Sequence, residues 1–193
     1  MQKLAEHGLT LIELVIAIVI MTLVIGVAVP SIGALSDDAK INDILTTVER
    51  AKSACKSHFT DTSKYGNEDS MAGSLTGHQL SQKQETKGWK GPYMERALSN
   101  KDNPFGGNVV LYSNFNGGEH KLYYNQFNLT GPSSPRRRGN GNFIAFDGIP
   151  MDVAEGVNRA LDDGVSGNWK RYGRVQWRNL SGGTLMVYLL HNH

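Results

Sequence analysis

The chain has one cysteine, Cys55, among 193 residues. An intrachain disulfide is therefore excluded, and the stability of the polar part must come from packing, a metal or a partner. A surplus of one charge is missing as well. The formal net charge is +2 and the basic residues are spread along the chain, so nucleic acid is not the expected partner. There is no H-E-x-x-H, G-x-S-x-G, C-x-x-C or Walker loop, which leaves no catalytic motif and an expectation that the chain is not an enzyme. No internal repeat is present. Glycine, by contrast, is plentiful at 22 residues, mostly beyond Gly66, and implies many turns between short strands.

One long hydrophobic run stands out. Residues 9–29 are apolar except for Thr10, Glu13 and Thr22. As a helix the run spans about 30 Å, the thickness of a bilayer core. A carboxylate at that depth is costly unless paired or neutralised, so Glu13 needs a reason. A secretory signal peptide needs a basic start and a short apolar region. Here Glu6 offsets Lys3 and the run is longer than such a region, although "GVAVPSIGA" could be cut. An ordinary signal anchor explains the length but not Glu13. In a third reading, Gly8 ends a polar leader, "MQKLAEHG", chemistry occurs ahead of the run, and the run stays on the mature chain.

"GLTLIELVIAIVI" followed by Pro30 resembles the class III signal of type IV pilins and type II secretion pseudopilins. The resemblance rests on Gly8 before the cut, Thr10, Glu13 as the fifth mature residue and Pro30 as the twenty-second. The first mature residue is Leu9, where that family most often has Phe. The resemblance implies that a prepilin peptidase cuts between Gly8 and Leu9 and that the Leu9 nitrogen is methylated. It implies that Glu13 of one chain faces the Leu9 α-amine of its neighbour, with Leu9, Thr10 and Glu13 forming the filament assembly contact. The partners are then copies of the same chain or other pilins in a filament, the peptidase, an inner-membrane assembly platform and, before assembly, the bilayer. The implied location is the bacterial inner membrane as a single-pass protein, then an extracellular pilus or a periplasmic pseudopilus.

The remaining pattern divides the chain into a leader at 1–8, a hydrophobic transmembrane and assembly helix at 9–29, an amphipathic helix half at 30–59 and a globular pilin-like head at 60–193. Gly26 and Pro30 predict a kink or a melted stretch where the run ends. Beyond it, Ile41, Leu45, Val48, Ala51, Cys55 and Phe59 recur at helical spacing with charged residues between them. Cys55 lies on that stripe and reads as a buried, inert thiol. Residues 60–88 read as a polar loop with at most a short helix near 77–83. The segment from Trp89 to Gly107 resembles the "G-W-x-G-P-Y … D-P-x-G-N" stretch of major pseudopilins and many pilins, with the Asp-Pro pair altered to Asp102, Asn103, Pro104.

Five strands are predicted, in "NVVLYSNF", "HKLYYNQFNL", "NFIAFDGI", "RVQWRNL" and "TLMVYLL", with turns at "NGGE" and "SGG". A helix is predicted from Pro150 to Gly164, with Val153, Val157 and Leu161 on one face. The expected class is α+β: a long N-terminal helix, transmembrane in one half and amphipathic in the other, packed on a small antiparallel sheet.

Metal and ligand signals are weak. No cofactor is expected, with calcium as the one alternative. Asp162 and Asp163 before Gly164 could form a calcium turn, with Asp147 and Asp152 as further oxygens, and major pseudopilins carry a calcium site near the C-terminus. A helix-ending turn is the plainer reading. Arg136, Arg137 and Arg138 lie in a Pro/Gly/Ser setting and read as a solvated loop, the sharper alternative being a patch for DNA, an anionic surface or another subunit. "HNH" at the end reads as a solvated tail, and "NLT" at Asn128 is a glycosylation sequon by pattern only. The expected function is a structural subunit of a type IV pilus-like filament. The alternatives are a type II secretion pseudopilin and, from a different class, a membrane-anchored periplasmic binding protein or enzyme.

Overall fold

The computed structural model describes residues 10–70, 77–113, 141–162, 169–171, 173–180 and 182–191, with side chains for all of these except 23–35, 190 and 191. Helix α1 runs Leu11–Thr62. Its backbone is helical through Gly26 and Pro30, so no melted stretch interrupts it. Proline removes one donor, and one lost bond does not end a helix that has turns on both sides. The chain divides into two compact units, Met1–Ala39 and Lys40–His193. In the first, the described side chains of α1 are exposed except for the half-buried Asp37. In the second, the rest of α1 packs in a core.

The strands of the second unit are β1 Glu68–Asp69, β2 Val109–Ser113, β3 Gly141–Asp147, β4 Val175–Arg178 and β5 Thr184–His191, and helix α2 is Met151–Asp162. They form one antiparallel sheet in the order β1-β2-β3-β5-β4. Four of these strands and α2 lie where the β-branched and aromatic runs and the three-to-four spacing place them. The second predicted strand, at 120–129, lies outside the described residues. Strand β1 arises in the stretch expected to be loop, and the short helix expected near 77–83 is instead a bridge from His78 to Glu68 followed by turns. His191, the first residue of "HNH", is not tail but the last residue of β5, paired with Gly141, and residues 192–193 lie outside the described residues.

Side chains alternate across the sheet, as strand geometry requires. Val109, Leu111, Ile144, Phe146, Val175, Leu185 and Val187 face one side and meet Ile44, Val48, Ala51, Ala54 and Cys55 of α1 and Val153, Ala154 and Val157 of α2 in one cluster. Phe143, Ala145, Met186 and Tyr188 form a second cluster with Tyr112. On α1 the buried stripe is Ile44, Val48, Ala51, Cys55 and His58, with Thr47 and Thr62 beside it. Ile41, Leu45 and Phe59 of the predicted stripe are only partly buried. The helix is thus rotated toward its small and polar residues, because Thr47, His58 and Thr62 have hydrogen-bond partners there. Burial raises the Cys55 thiol far above its ordinary range, which keeps it protonated and unreactive.

The β4–β5 turn depends on Gly183. Its φ is 113°, and a Cβ there would overlap the Ile149 carbonyl oxygen. That carbonyl already accepts the Trp177 indole N–H at 2.9 Å, and the Gly183 carbonyl accepts the Ile149 N–H at 2.9 Å. Gly183→Ala is expected to lower stability by about 2 kcal/mol, from strained backbone and displaced hydrogen bonds together. Chemical denaturation of the full chain in mild detergent checks this, and an unchanged midpoint would refute it.

Candidate functional site

Thr10 and Glu13 sit at the start of α1. The Thr10 N–H donates to Glu13 Oε2 at 2.9 Å and the Thr10 hydroxyl donates to the same oxygen at 2.8 Å. In return the Glu13 N–H donates to Thr10 Oγ1 at 3.3 Å. This is a capping box: each residue satisfies a donor that a helix start leaves open. A carboxylate in the first turn also suits the helix dipole. Around it the surface is apolar, with Leu11 at 82 % exposure and Ile12, Leu14, Ile16, Ile18, Val19, Ile20 and Met21 each more than half exposed. Nothing among the described residues covers them, and such a surface marks an interaction site. Among the described residues no helix is long and apolar enough to cross a membrane.

Gly8 and Leu9, the cleavage and methylation positions, lie outside the described residues, as do Asp163 and Arg136, Arg137 and Arg138. Of the calcium candidates, Asp162 accepts the Arg174 N–H at 2.5 Å, Asp147 accepts the Thr184 hydroxyl at 3.1 Å, and Asp152 accepts the Val153 N–H at 2.9 Å. Each of these three carboxylates already accepts a hydrogen bond from the protein. Among the described residues no group of three or more His, Cys, Asp or Glu is arranged to hold a metal ion.

The aromatic loop after residue 88 fastens the head to α1. Tyr93 donates its hydroxyl proton to Asp61 of α1 at 3.0 Å and sits edge-on to His58, with ring centroids 5.3 Å apart. Trp89 stands edge-on to Tyr93 and donates its indole N–H to the Gln79 carbonyl. Lys90 completes the group by pairing with Asp61 at 3.3 Å. Burial holds His58 below the ordinary imidazole range, against the opposing pull of its bond to the Lys64 carbonyl.

Two buried acidic clusters have no counterpart in the sequence reading. Asp102 is 7 % exposed. It takes both guanidinium arms of Arg96, at 2.7 and 2.6 Å, a short bond from Arg50 of α1, and the Ser99 N–H at 2.9 Å. Burial alone would raise its carboxyl. The hydrogen bonds from Arg96, Arg50 and Ser99 and the Arg50 charge outweigh that and hold it well below the usual carboxylate range. Glu68 is fully buried. Its Oε2 accepts the Leu80 and Ser81 N–H groups at 3.1 and 3.2 Å, and its Oε1 accepts the Ser81 hydroxyl at 2.7 Å and lies 2.9 Å from His78 Nδ1. Serine reaches glutamate here rather than histidine, which is not a nucleophile–base arrangement. The only signal for Asp102 was the S-x-x-D spacing from Ser99, a local cap pattern. Nothing in the sequence marked Glu68.

Two families match the chain. Residues 3–29 match the prokaryotic N-terminal methylation motif, and residues 36–119 match PilW, C-terminal. No curated protein and no solved structure matches. The first match covers Gly8, Leu9, Thr10 and Glu13. The second covers the amphipathic half of α1, the aromatic loop, both acidic clusters and β2. With the methylation motif joined to a PilW region in one chain, the protein is similar to the type IV pilin-like proteins, pilins and pseudopilins taken together.

Proposed function

We propose that this chain is a structural subunit of a type IV pilus-related filament, cut after Gly8, methylated on Leu9 and assembled through the first half of α1. One observation carries the reading: a helix start that bears a single carboxylate, Glu13, within an exposed apolar surface that the methylation motif covers. Burying that surface among neighbouring helices would hold the fibre together at about 25 cal/mol per Å². Residues 9–29 serve first as the membrane anchor and then as the filament core. The PilW match, a second family signature beyond the N-terminal motif, supports a pilus-related subunit, with a type II secretion pseudopilin as the alternative. The role is structural, with no catalytic step and no cofactor.

The test is the intact mass of the chain after co-expression with a prepilin peptidase, beside a Gly8→Val control. Loss of residues 1–8 with gain of one methyl group, absent in the control, is the expected result. Full-length mass in both samples would overturn the reading, and a cut near Ala34 would make the chain a secreted one.

A further inference from the structure

We infer that the paired guanidinium groups of Arg50 and Arg96 are a docking site for a carboxylate on α2 of a second copy, so that neighbouring heads pack basic flank against acidic flank. The inference rests on the filament reading above. Both arginines bond one buried oxygen, Oδ1 of Asp102. Their bonded nitrogens therefore lie no more than about 6 Å apart. Arg96 is held by its other arm as well, on Oδ2 at 2.7 Å. An exposed arginine loses rotamer freedom when it captures an anion, whereas here Asp102 has already removed that freedom. Donors remain for a partner. Arg50 and Arg96 keep 38 % and 54 % of their side chains exposed, and Arg50 Nε has no acceptor among the described residues. Planar guanidinium groups match the two oxygens of a carboxylate. Exposed Lys101 adds a third cation against Asp102 and exposed Glu95, which leaves a surplus of one positive charge.

The matching surface lies on the other flank of α1. Arg50 and Ile41 are nine residues apart. That is about two and a half helical turns, so they point to opposite sides. Arg50 meets the loop at Asp102. Ile41 meets Gly156 of α2, so closely that a Cβ on Gly156 would overlap the Ile41 side chain. The loop and α2 thus flank α1 on opposite sides. The outer face of α2 carries Asp152, Glu155 and Arg159, all exposed, with a surplus of one negative charge. Among the described residues Glu155 has no ion-pair partner. Two parallel heads side by side bring the arginine flank of one to the α2 flank of the next. Ile41 and Arg50 differ by about 13 Å along the helix, so the second copy is staggered by about that distance. The contact joins two different surfaces, so it repeats without closing, as a filament requires.

Cys55 is the chain's one cysteine and is buried, so introduced thiols report cleanly. The experiment places Lys101→Cys and Glu155→Cys together in the full-length chain, co-expresses it with the peptidase and treats sheared filaments with a short bis-maleimide. Processing is checked by mass. A ladder of covalent oligomers is the expected result, and each single variant should stay monomeric. Lys64→Cys with Glu155→Cys, which moves the first thiol beyond the end of α1, should give no ladder. Tagged Glu155→Lys, competing with untagged wild-type chain, should enter filaments about tenfold less, and Glu155→Asp should restore entry. Filaments that form without a ladder would overturn the inference and leave the filament reading intact. Dimers from a single variant, or an equal ladder from Lys64→Cys, would overturn it too. So would Glu155→Lys entering as well as wild type. An unprocessed wild-type chain would overturn both readings.

Discussion

Glu68→Ala should lower the melting temperature of the full chain, followed by circular dichroism in mild detergent, by about 10 °C. The side chain is fully buried and satisfies two backbone N–H groups, the Ser81 hydroxyl and His78. Alanine leaves those donors buried without an acceptor and opens a cavity beside Leu80. Removing one partner from such a cluster costs about 3–5 kcal/mol, and each kcal/mol shifts the midpoint by about 2–4 °C in a chain of this size. Glu68→Gln is the sharper variant. A carboxylate only accepts, so His78 Nδ1 must donate to it. An amide NH₂ placed opposite that donor would lose the bond, and Glu68→Gln should cost about 2 kcal/mol. A near-neutral Glu68→Gln would show that His78 Nδ1 is the acceptor and would refute this assignment.

Asp102→Ala is expected to cost about 3 kcal/mol, through a different balance. Arg50 and Arg96 keep 38 % and 54 % of their side chains exposed, so each can turn to water once the carboxylate is gone. The loss comes from the Ser99 N–H left without its cap and from the broken tie between α1 and the loop before β2. Arg50→Ala and Arg96→Ala should each cost less than Asp102→Ala, because the other arginine still pairs with Asp102. An Asp102→Ala cost below that of either arginine change would refute the clamp.

The same carboxylate gives the head an acid-sensitive hold. The folded state keeps the Asp102 pKa below its unfolded value of about 3.9, so its contribution is present above that pH and is lost as pH falls further. His58 acts in the same direction from a higher start. Burial depresses its pKa, so its share is complete above about 6.5 and declines as acidification forces a proton onto a buried ring. Denaturation midpoints measured from pH 7 down to pH 2 should therefore fall in two stages. Asp102→Ala should flatten the lower stage alone.

Much of this protein was written locally. The length of the apolar run, Glu13 within it and Gly8 before it are properties of consecutive residues, and they carried the reading of leader, anchor and assembly helix. The capping box is equally local, because its partners are three residues apart. Strands β2 to β5 and helix α2 were legible because each is a short segment with its own period and its own turn residues. The aromatic loop was visible in the sequence as the segment beginning at Trp89, although its anchor on α1, Asp61, could not be named.

Tertiary structure decided the rest. Strand order was beyond the sequence, since β5 inserts between β3 and β4 and pairing energies depend on neighbours far along the chain. The face of α1 that is buried differs from the purely apolar stripe, because Thr47 and His58 find acceptors at Asp102 and Lys64 that periodicity cannot foresee. Glu68 and Asp102 show the limit most clearly. Within a polar stretch each reads as an ordinary surface acid. Whether it is exposed or fully buried depends on donors from residues such as Leu80, Ser81 and Arg50, and only the folded chain brings those within hydrogen-bond reach.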